Sequence, residues 1–248
     1  MKLINGDCIE ELKKLSDKSI DFFYLDLPYG QTGCKWDNKI DLRILWEELK
    51  RLARNDRTPF FFSCTTKFGF EIYQSAPKGW FRWDLVHKKN KSVGFLNCYK
   101  LPMRKHEMVY CFAKKCPNYD VSSHKEKKII NFTCHTDRED SNLYCLKEKK
   151  GEKFKKNIHK QPLPTSDITP NTWCEIDLDE GINHRTAKPI KLMEFLLTYW
   201  TKEGQTICDP TAGSGSMGVA CKNMNRQFIG IEKDIEIYNV MCERINHH

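Results

Sequence analysis

Short apolar runs alternate with helical repeats along the first 112 residues. LIN (3–5), IDFFYLD (20–26), TPFFFSC (58–64), FRWDLVHK (81–88) and EMVYCF (107–112) have the length and apolar density of strands. Between the first three, IEELKKL (9–15) and LRILWEELKRL (42–52) carry leucine, isoleucine and tryptophan at three- and four-residue spacing, which predicts helices. From His184 the alternation returns. KPIKLMEFLLTYW is an amphipathic helix, TICD a strand, SMGVACKNM a helix, RQFIGIEKD a strand and IEIYNVMCERI a final helix. Strands alternating with helices predict parallel βαβ units, and hence a doubly wound, mostly parallel α/β sheet. The intervening stretch, 113–183, is polar and weakly periodic and is expected to be an insert. The predicted organisation is 1–112, the insert 113–183, and 184–248.

Charge sharpens this division. The chain has 248 residues and a formal charge of +8. Residues 114–160 hold 13 Lys/Arg against 7 Asp/Glu, or +6 of that total. A charge run is commonly just a solvated face. Concentrating most of the net charge in one segment instead points to a lobe that faces a polyanion. With 40% hydrophobic residues the chain is neither disordered nor fibrous. It lacks an apolar run of about 18 residues and its start does not read as a secretory leader, so no membrane partner is expected. The 12 cysteines form no CxxC pair, and Cys64, Cys111, Cys208 and Cys221 sit in apolar runs. They read as reduced thiols used as small hydrophobes, in a reducing, cytoplasmic compartment. Cys134, His135, Cys145 and His124 fit no common zinc spacing, and no metal is expected.

The first motif with chemistry is Gly213-Ser-Gly215-Ser-Met-Gly218. It lies between a predicted strand and helix, and Glu232 ends the next strand 19 residues after Gly213. This is an adenosine-binding arrangement: glycines let the backbone approach the ligand, and the acid accepts hydrogen bonds from ribose hydroxyls. A pyrophosphate prefers a helix N-terminus free of anions. Asp209 just before the turn would repel phosphate but receive the ammonium of a methionine moiety, which favours S-adenosylmethionine over a dinucleotide.

The second motif, Asp26-Leu27-Pro28-Tyr29, follows the apolar run FFYL and so lies at the carboxyl end of a strand, where open α/β sheets place their sites. Alone it would read as a turn with a half-buried tyrosine. Together with the glycine turn it resembles the (D/N/S)PPY motif of the amino-methylating, N6-adenine and N4-cytosine, DNA methyltransferases. Asn5-Gly6-Asp7, Thr186-Ala187-Lys188-Pro189, Asp209-Pro210, Gly213-Ser-Gly215 and Gly230-Ile-Glu232 resemble further landmarks of that family, as does DLPYGQTGCKWD of its phage members. The catalytic motif precedes the glycine motif, which resembles the β-type order.

The resemblance implies an S-adenosylmethionine-dependent methyltransferase of Rossmann-like fold whose insert recognises DNA. It implies a cofactor site at Asp7, Thr186, Lys188, Asp209, Pro210, Gly213, Gly215 and Glu232, and catalysis by Asp26 to Tyr29. The Asp26 carboxylate and the Leu27 carbonyl would accept the two N–H groups of an exocyclic amine, and Tyr29 would stack on an extruded base. Aspartate at 26 favours adenine over cytosine within the resemblance. Leu27 departs from the family's first proline and Ala187 from its usual glutamine. DNA contacts are expected from Trp36, Lys88, Lys89, Lys91, Phe95 and Arg104, placed in loops beyond strand ends, and from Lys149, Lys150, Lys155 and Lys156 in the insert. Trp36 and Phe95 fit the core equally well. An N4-cytosine or RNA substrate, a homodimer, an inactive DNA-binding homologue and an NAD-dependent oxidoreductase remain open. The last explains the glycines but not Asp26 to Tyr29.

Overall fold

The computed structural model describes residues 1–30, 38–95, 98–120, 173–175 and 187–247, the side chains of 90, 91 and 173–175 excepted. These residues belong to one unit, Met1–Ser123 with Asn171–His248. The other unit, His124–Pro170, lies outside the described residues, as does the set His124, Cys134, His135 and Cys145.

Among the described residues, eight strands form one sheet in the order β1-β8-β7-β2-β3-β5-β4-β6. The strands are β1 (Lys2–Asn5), β2 (Phe22–Leu25), β3 (Phe60–Cys64), β4 (Phe81–Val93), β5 (Arg104–Phe112), β6 (Trp173–Glu175), β7 (Thr206–Asp209) and β8 (Gln227–Glu232). β1, β8, β7, β2 and β3 run parallel. Every residue of β2 and β3 is buried, as expected of parallel strands covered on both faces. Side chains alternate between two cores. Phe22 and Tyr24 face α4 (Ile190–Trp200), α5 (Ser216–Asn223) and α6 (Ile235–His247). Phe23 and Leu25 face α1 (Cys8–Lys13), α2 (Leu42–Leu52) and α3 (Thr66–Ser75). Phe22, Phe23, Phe60, Phe61 and Phe62 are at most 1% exposed; full burial of such a side chain contributes roughly 1.5–3 kcal/mol. The fold is the doubly wound, mostly parallel sheet that the pattern predicts.

Four features differ from the sequence reading. β5 runs antiparallel to both β3 and β4, so the sheet is mixed. The link between β4 and β5, residues 94–103, is too short for a crossover to a parallel strand, so the chain returns antiparallel. β4 also runs past its apolar part through residues 88–93, three of them lysines, paired up to Val93 opposite Arg104. Lys88, Lys89, Lys91 and Arg104 therefore lie in strands rather than loops. Helix α3 is absent from the prediction: its centre holds Gly69, a weak helix former, where a Cβ would come within 2.6 Å of the Tyr110 ring. Lastly, Trp173–Glu175, inside the stretch read as an insert, pairs in parallel with β4.

The eight cysteines whose side chains are described are free, and Cys64, Cys111, Cys208 and Cys221 are buried. Burial pushes the Cys64 thiol up to about 12, which keeps it protonated. No helix among the described residues is long and apolar enough to cross a membrane.

Candidate active site

The carboxyl ends of four adjacent parallel strands, β1, β8, β7 and β2, gather the predicted residues. Asp7 follows β1 and caps α1, its Oδ1 accepting from the Ile9 amide at 3.0 Å, while Lys233 Nζ lies 3.2 Å from Oδ2. β1 is tied to the end of β8 by Gly6 N–H and Asn5 Nδ2–H, both donating to the Glu232 carbonyl. Glu232 closes β8, and its two carboxylate oxygens accept from the amides of Gly213 and Asp234, each at 2.9 Å. This acid therefore holds the glycine turn against the start of α6.

The two glycines of the turn have different tasks. Both take left-handed backbone angles, φ 54° at Gly213 and φ 80° at Gly215. A Cβ on Gly215 would stand 2.7 Å from Met241 Cγ, so this glycine lets α6 pack closely. A Cβ on Gly213 would meet nothing within 4 Å. The space over Gly213 is open, with Glu232 beside it and Asp7 at the neighbouring strand end. Asp209 ends β7, is 3% exposed and accepts from the Thr211 amide at 3.1 Å. Burial raises its carboxyl well above the usual range. Pro210 is buried at the head of the turn.

Asp26 follows β2 and is the meeting point of three segments. Its carbonyl accepts from Thr211 Oγ1 at 3.2 Å, which joins it to the glycine turn. Its Oδ1 accepts from the Tyr29 hydroxyl at 3.0 Å, and its Oδ2 lies 2.5 Å from Lys188 Nζ. The Tyr29 ring packs on Phe68 with centroids 5.2 Å apart. Burial, then the Asp26 charge, push the Tyr29 phenol well above 10, so it stays a donor. Leu27 buries its side chain beneath this loop, 3% exposed, which anchors the motif where the family's proline is missing.

Lys188 brings in a residue that the sequence reading missed. Its ammonium is also 3.6 Å from Glu107 Oε2 on β5, and Glu107 Oε1 is 2.7 Å from Lys89 Nζ. Alternating charges thus run Lys89, Glu107, Lys188, Asp26. Burial opposes the Lys188 cation, yet Asp26 and Glu107 outweigh it and raise its pKa. Burial likewise opposes the Glu107 anion, but Lys188 and then Lys89 bring it down to about 2. The signal for Glu107 was available: it alternates with Val109 and Cys111, so it points to the α4 face that Lys188 introduces. Lys89 is correspondingly an internal ion-pair partner rather than an outward-facing group.

Among the other expected residues, Lys88 is half-buried in β4, and Arg104 and Phe95 are exposed. Trp36, Thr186, Lys149, Lys150, Lys155 and Lys156 lie outside the described residues, and so does the side chain of Lys91. No metal-binding cluster occurs among the described residues.

Several known proteins resemble this chain over nearly all of its length. The family model described as DNA methylase, of the N6/N4 type, matches residues 20–243. The DNA adenine methyltransferase YhdJ of Escherichia coli is 25% identical over 98% of the chain and 82% of its own length. The type II methyltransferase M.HinfI of Haemophilus influenzae is 26% identical over 98% of the chain and 67% of itself. M.HindIII, also from Haemophilus influenzae, is 47% identical, but over 27% of the chain and 21% of its own length. Among solved structures, the cytosine-N4-specific PvuII DNA methyltransferase superposes with a TM-score of 0.68 at 15% identity, covering 98% of this chain and 85% of that one. The M1.HpyAVI–SAM complex superposes with a TM-score of 0.60 at 19% identity, covering 98% of both chains. The strand ends that gather Asp26, Asp209 and Glu232 thus sit within a match that runs nearly from end to end, and this chain belongs to the N6/N4 DNA methylase family.

Proposed function

We propose that this chain methylates the N6 amine of adenine in DNA, with S-adenosylmethionine as donor. The observation that carries the reading is the Asp26 carboxylate, fixed at the end of β2 by Lys188 and Tyr29 and joined through Thr211 to the open glycine turn. The residues fit the cofactor: open space over Gly213, the acid Glu232 for ribose hydroxyls, and the buried carboxyl of Asp209, which a cofactor ammonium would ionise. Asp7, Lys188, Pro210, Gly215 and the undescribed Thr186 complete the proposed site. The cofactor supplies a methyl carbon made electrophilic by its sulfonium.

The protein's own part is positioning and fixed electrostatics. An adenine amine is a poor nucleophile because its lone pair is delocalised into the ring. The Asp26 carboxylate and the Leu27 carbonyl accept its two N–H groups and draw the nitrogen toward tetrahedral geometry. Each Asp26 oxygen keeps lone-pair capacity beyond its present partner. As the nitrogen gains the methyl group, one N–H proton passes to Asp26. Tyr29 steadies Asp26 through its hydroxyl and presents its ring to the extruded base. Two observations favour adenine: the relative YhdJ is named a DNA adenine methyltransferase, and the aspartate at 26 favours adenine by resemblance. The PvuII enzyme is cytosine-specific, so an N4-cytosine substrate is the second reading.

In this proposal residues 113–183 contribute the target-recognition segment between two halves of the catalytic domain. Lys149, Lys150, Lys155 and Lys156, with Trp36, Lys88, Lys91 and Arg104, meet phosphates or the target strand. The protein works in the cytoplasm, where free thiols persist. Transfer of tritiated methyl from S-adenosylmethionine to DNA, followed by nucleoside analysis, tests the reading. Label in N6-methyladenine, nearly abolished by Asp26→Ala with cofactor affinity retained, is the expected result. Full activity in Asp26→Ala, or tight NADH binding without binding of the methionine nucleosides, overturns it.

A further inference from the structure

Lys188 holds a cation beside the one carboxylate that must be free to accept an amine. Its Nζ is 2.5 Å from Asp26 Oδ2, and nothing in that pair alone stops the ammonium from swinging across both oxygens. An ammonium has three N–H donors on a flexible stem and sets no preferred fork. Glu107 supplies a second pull from the other side. It is 12% exposed, sits on β5 beyond β3, and its Oε2 is 3.6 Å from the same Nζ. Lys89 at 2.7 Å fixes the opposite oxygen of Glu107, so the glutamate itself has a settled place.

We propose that Glu107 is a positioning residue for methyl transfer: it holds Lys188 at the Oδ2 edge of Asp26 and leaves the remainder of that carboxylate to the substrate amine. The proposal rests on the methyl-transfer reading above. Its physical content is a charge balance in a site largely withdrawn from water. Two lysines, Lys89 and Lys188, face two anions, Glu107 and Asp26, with the buried His87 opposite Glu107 in the β4–β5 pairing. Replacing Glu107 with its neutral amide leaves two cations against Asp26 alone. Lys188 then commits its donors to Asp26, and the amine loses its acceptor. Removing Lys89 at the same time restores the balance and relieves that demand. A glutamate that served only to satisfy Lys89 within the sheet would influence stability without acting on the chemical step.

Methyl-transfer kinetics on Glu107→Gln and on the double variant Glu107→Gln/Lys89→Gln test this, with cofactor and DNA affinities measured on both. The expected result is a loss of at least tenfold in kcat for Glu107→Gln, with both affinities within threefold of wild type, and at least threefold recovery of kcat in the double variant. A kcat within twofold of wild type in Glu107→Gln overturns the proposal. So does a double variant no faster than the single one, which would assign Glu107 to packing. Failure of the underlying reading looks different: wild type would transfer no methyl to DNA, or Asp26→Ala would retain full activity.

Discussion

Lys188→Met keeps the length of the side chain and removes its charge. The native ammonium lies between Asp26 Oδ2 at 2.5 Å and Glu107 Oε2 at 3.6 Å. Burial works against an ionised Glu107, yet Lys188 and Lys89 lower its pKa from the ordinary 4.5 to about 2. At roughly 1.4 kcal/mol per factor of ten, this favours the folded state by about 3 kcal/mol at neutral pH, shared between two lysines. Removing one partner of a buried pair generally costs about 3–5 kcal/mol. Here Lys89 stays on Glu107 and the Asp26 side chain is 24% exposed, so the loss falls below that range. The expected destabilisation at pH 7 is about 2–3 kcal/mol, or a Tm lower by roughly 5–10 °C for a chain of this size. A lowered carboxyl pKa stabilises the fold above its unfolded value and loses that contribution as pH falls through the folded one. For Glu107 this window runs from 4.5 down to about 2. The variant lacks much of the contribution, so its gap to wild type is widest at pH 7 and narrows below 4.5. Urea titrations at pH 7 and near pH 3.5 measure it. Equal gaps at the two pH values, or a gap under about 0.5 kcal/mol at pH 7, refute the reasoning.

Three further outcomes are expected. Tyr29→Phe removes the hydroxyl 3.0 Å from Asp26 Oδ1 and should lower kcat by about tenfold, the worth of about one hydrogen bond; Tyr29→Ala should lose a further 1–3 kcal/mol, roughly the value of base stacking, in single-turnover assays. Gly215→Ala forces a side chain into φ 80° and within 2.7 Å of Met241. It should cost about 1–2 kcal/mol for the backbone and 1–3 kcal/mol for overpacking, whereas Gly213→Ala, with open space above it, should pay only the backbone part; thermal melts separate them. Reversing Lys149, Lys150, Lys155 and Lys156 to glutamate should weaken DNA binding and flatten its salt dependence, since each neutralised phosphate gives about 0.9 log units per decade of salt. Unchanged affinity and slope would assign these lysines to solvent.

The sequence made the parallel half of the fold legible because that half is written in a strong code. FFYL and FFFSC are continuous apolar runs, TICD leads into glycines, and QFIGIE ends in an acid; each is a buried strand whose neighbours are helices of clear period. The antiparallel half uses a weaker one. Residues 88–93 of β4 are mostly polar because that part of the strand runs beyond the apolar body of the sheet, and polarity is what a loop shows as well. Helix α3 was hidden for a related reason: Gly69, costly for a helix in isolation, is set by the Tyr110 ring packed against it. Contact with a distant strand overrides local preference there, and no window of sequence contains that contact.

The site divides along the same line. Asp26, Gly213 and Glu232 were found because each stands at the junction of a strand and a turn, where an isolated polar residue or glycine has few structural reasons to be. Glu107 stands inside a strand, between Arg104-Lys105-His106 and an apolar run, and on its own reads as the last polar residue before the sheet begins. Its meaning depends on Lys188, 81 positions later, and on Lys89 across the hairpin. A buried acid in a strand requires compensating charge, so the sequence does hold the question of which cation meets Glu107. Period-two alternation narrows the answer to the face shared with Val109 and Cys111, the face that α4 covers. Lys188 leads directly into α4, and Lys89 shares that face by alternation with Leu85 in β4. The face that an acid takes in an apolar strand, together with the cation that the covering helix brings, is what links Glu107 to Asp26 through Lys188.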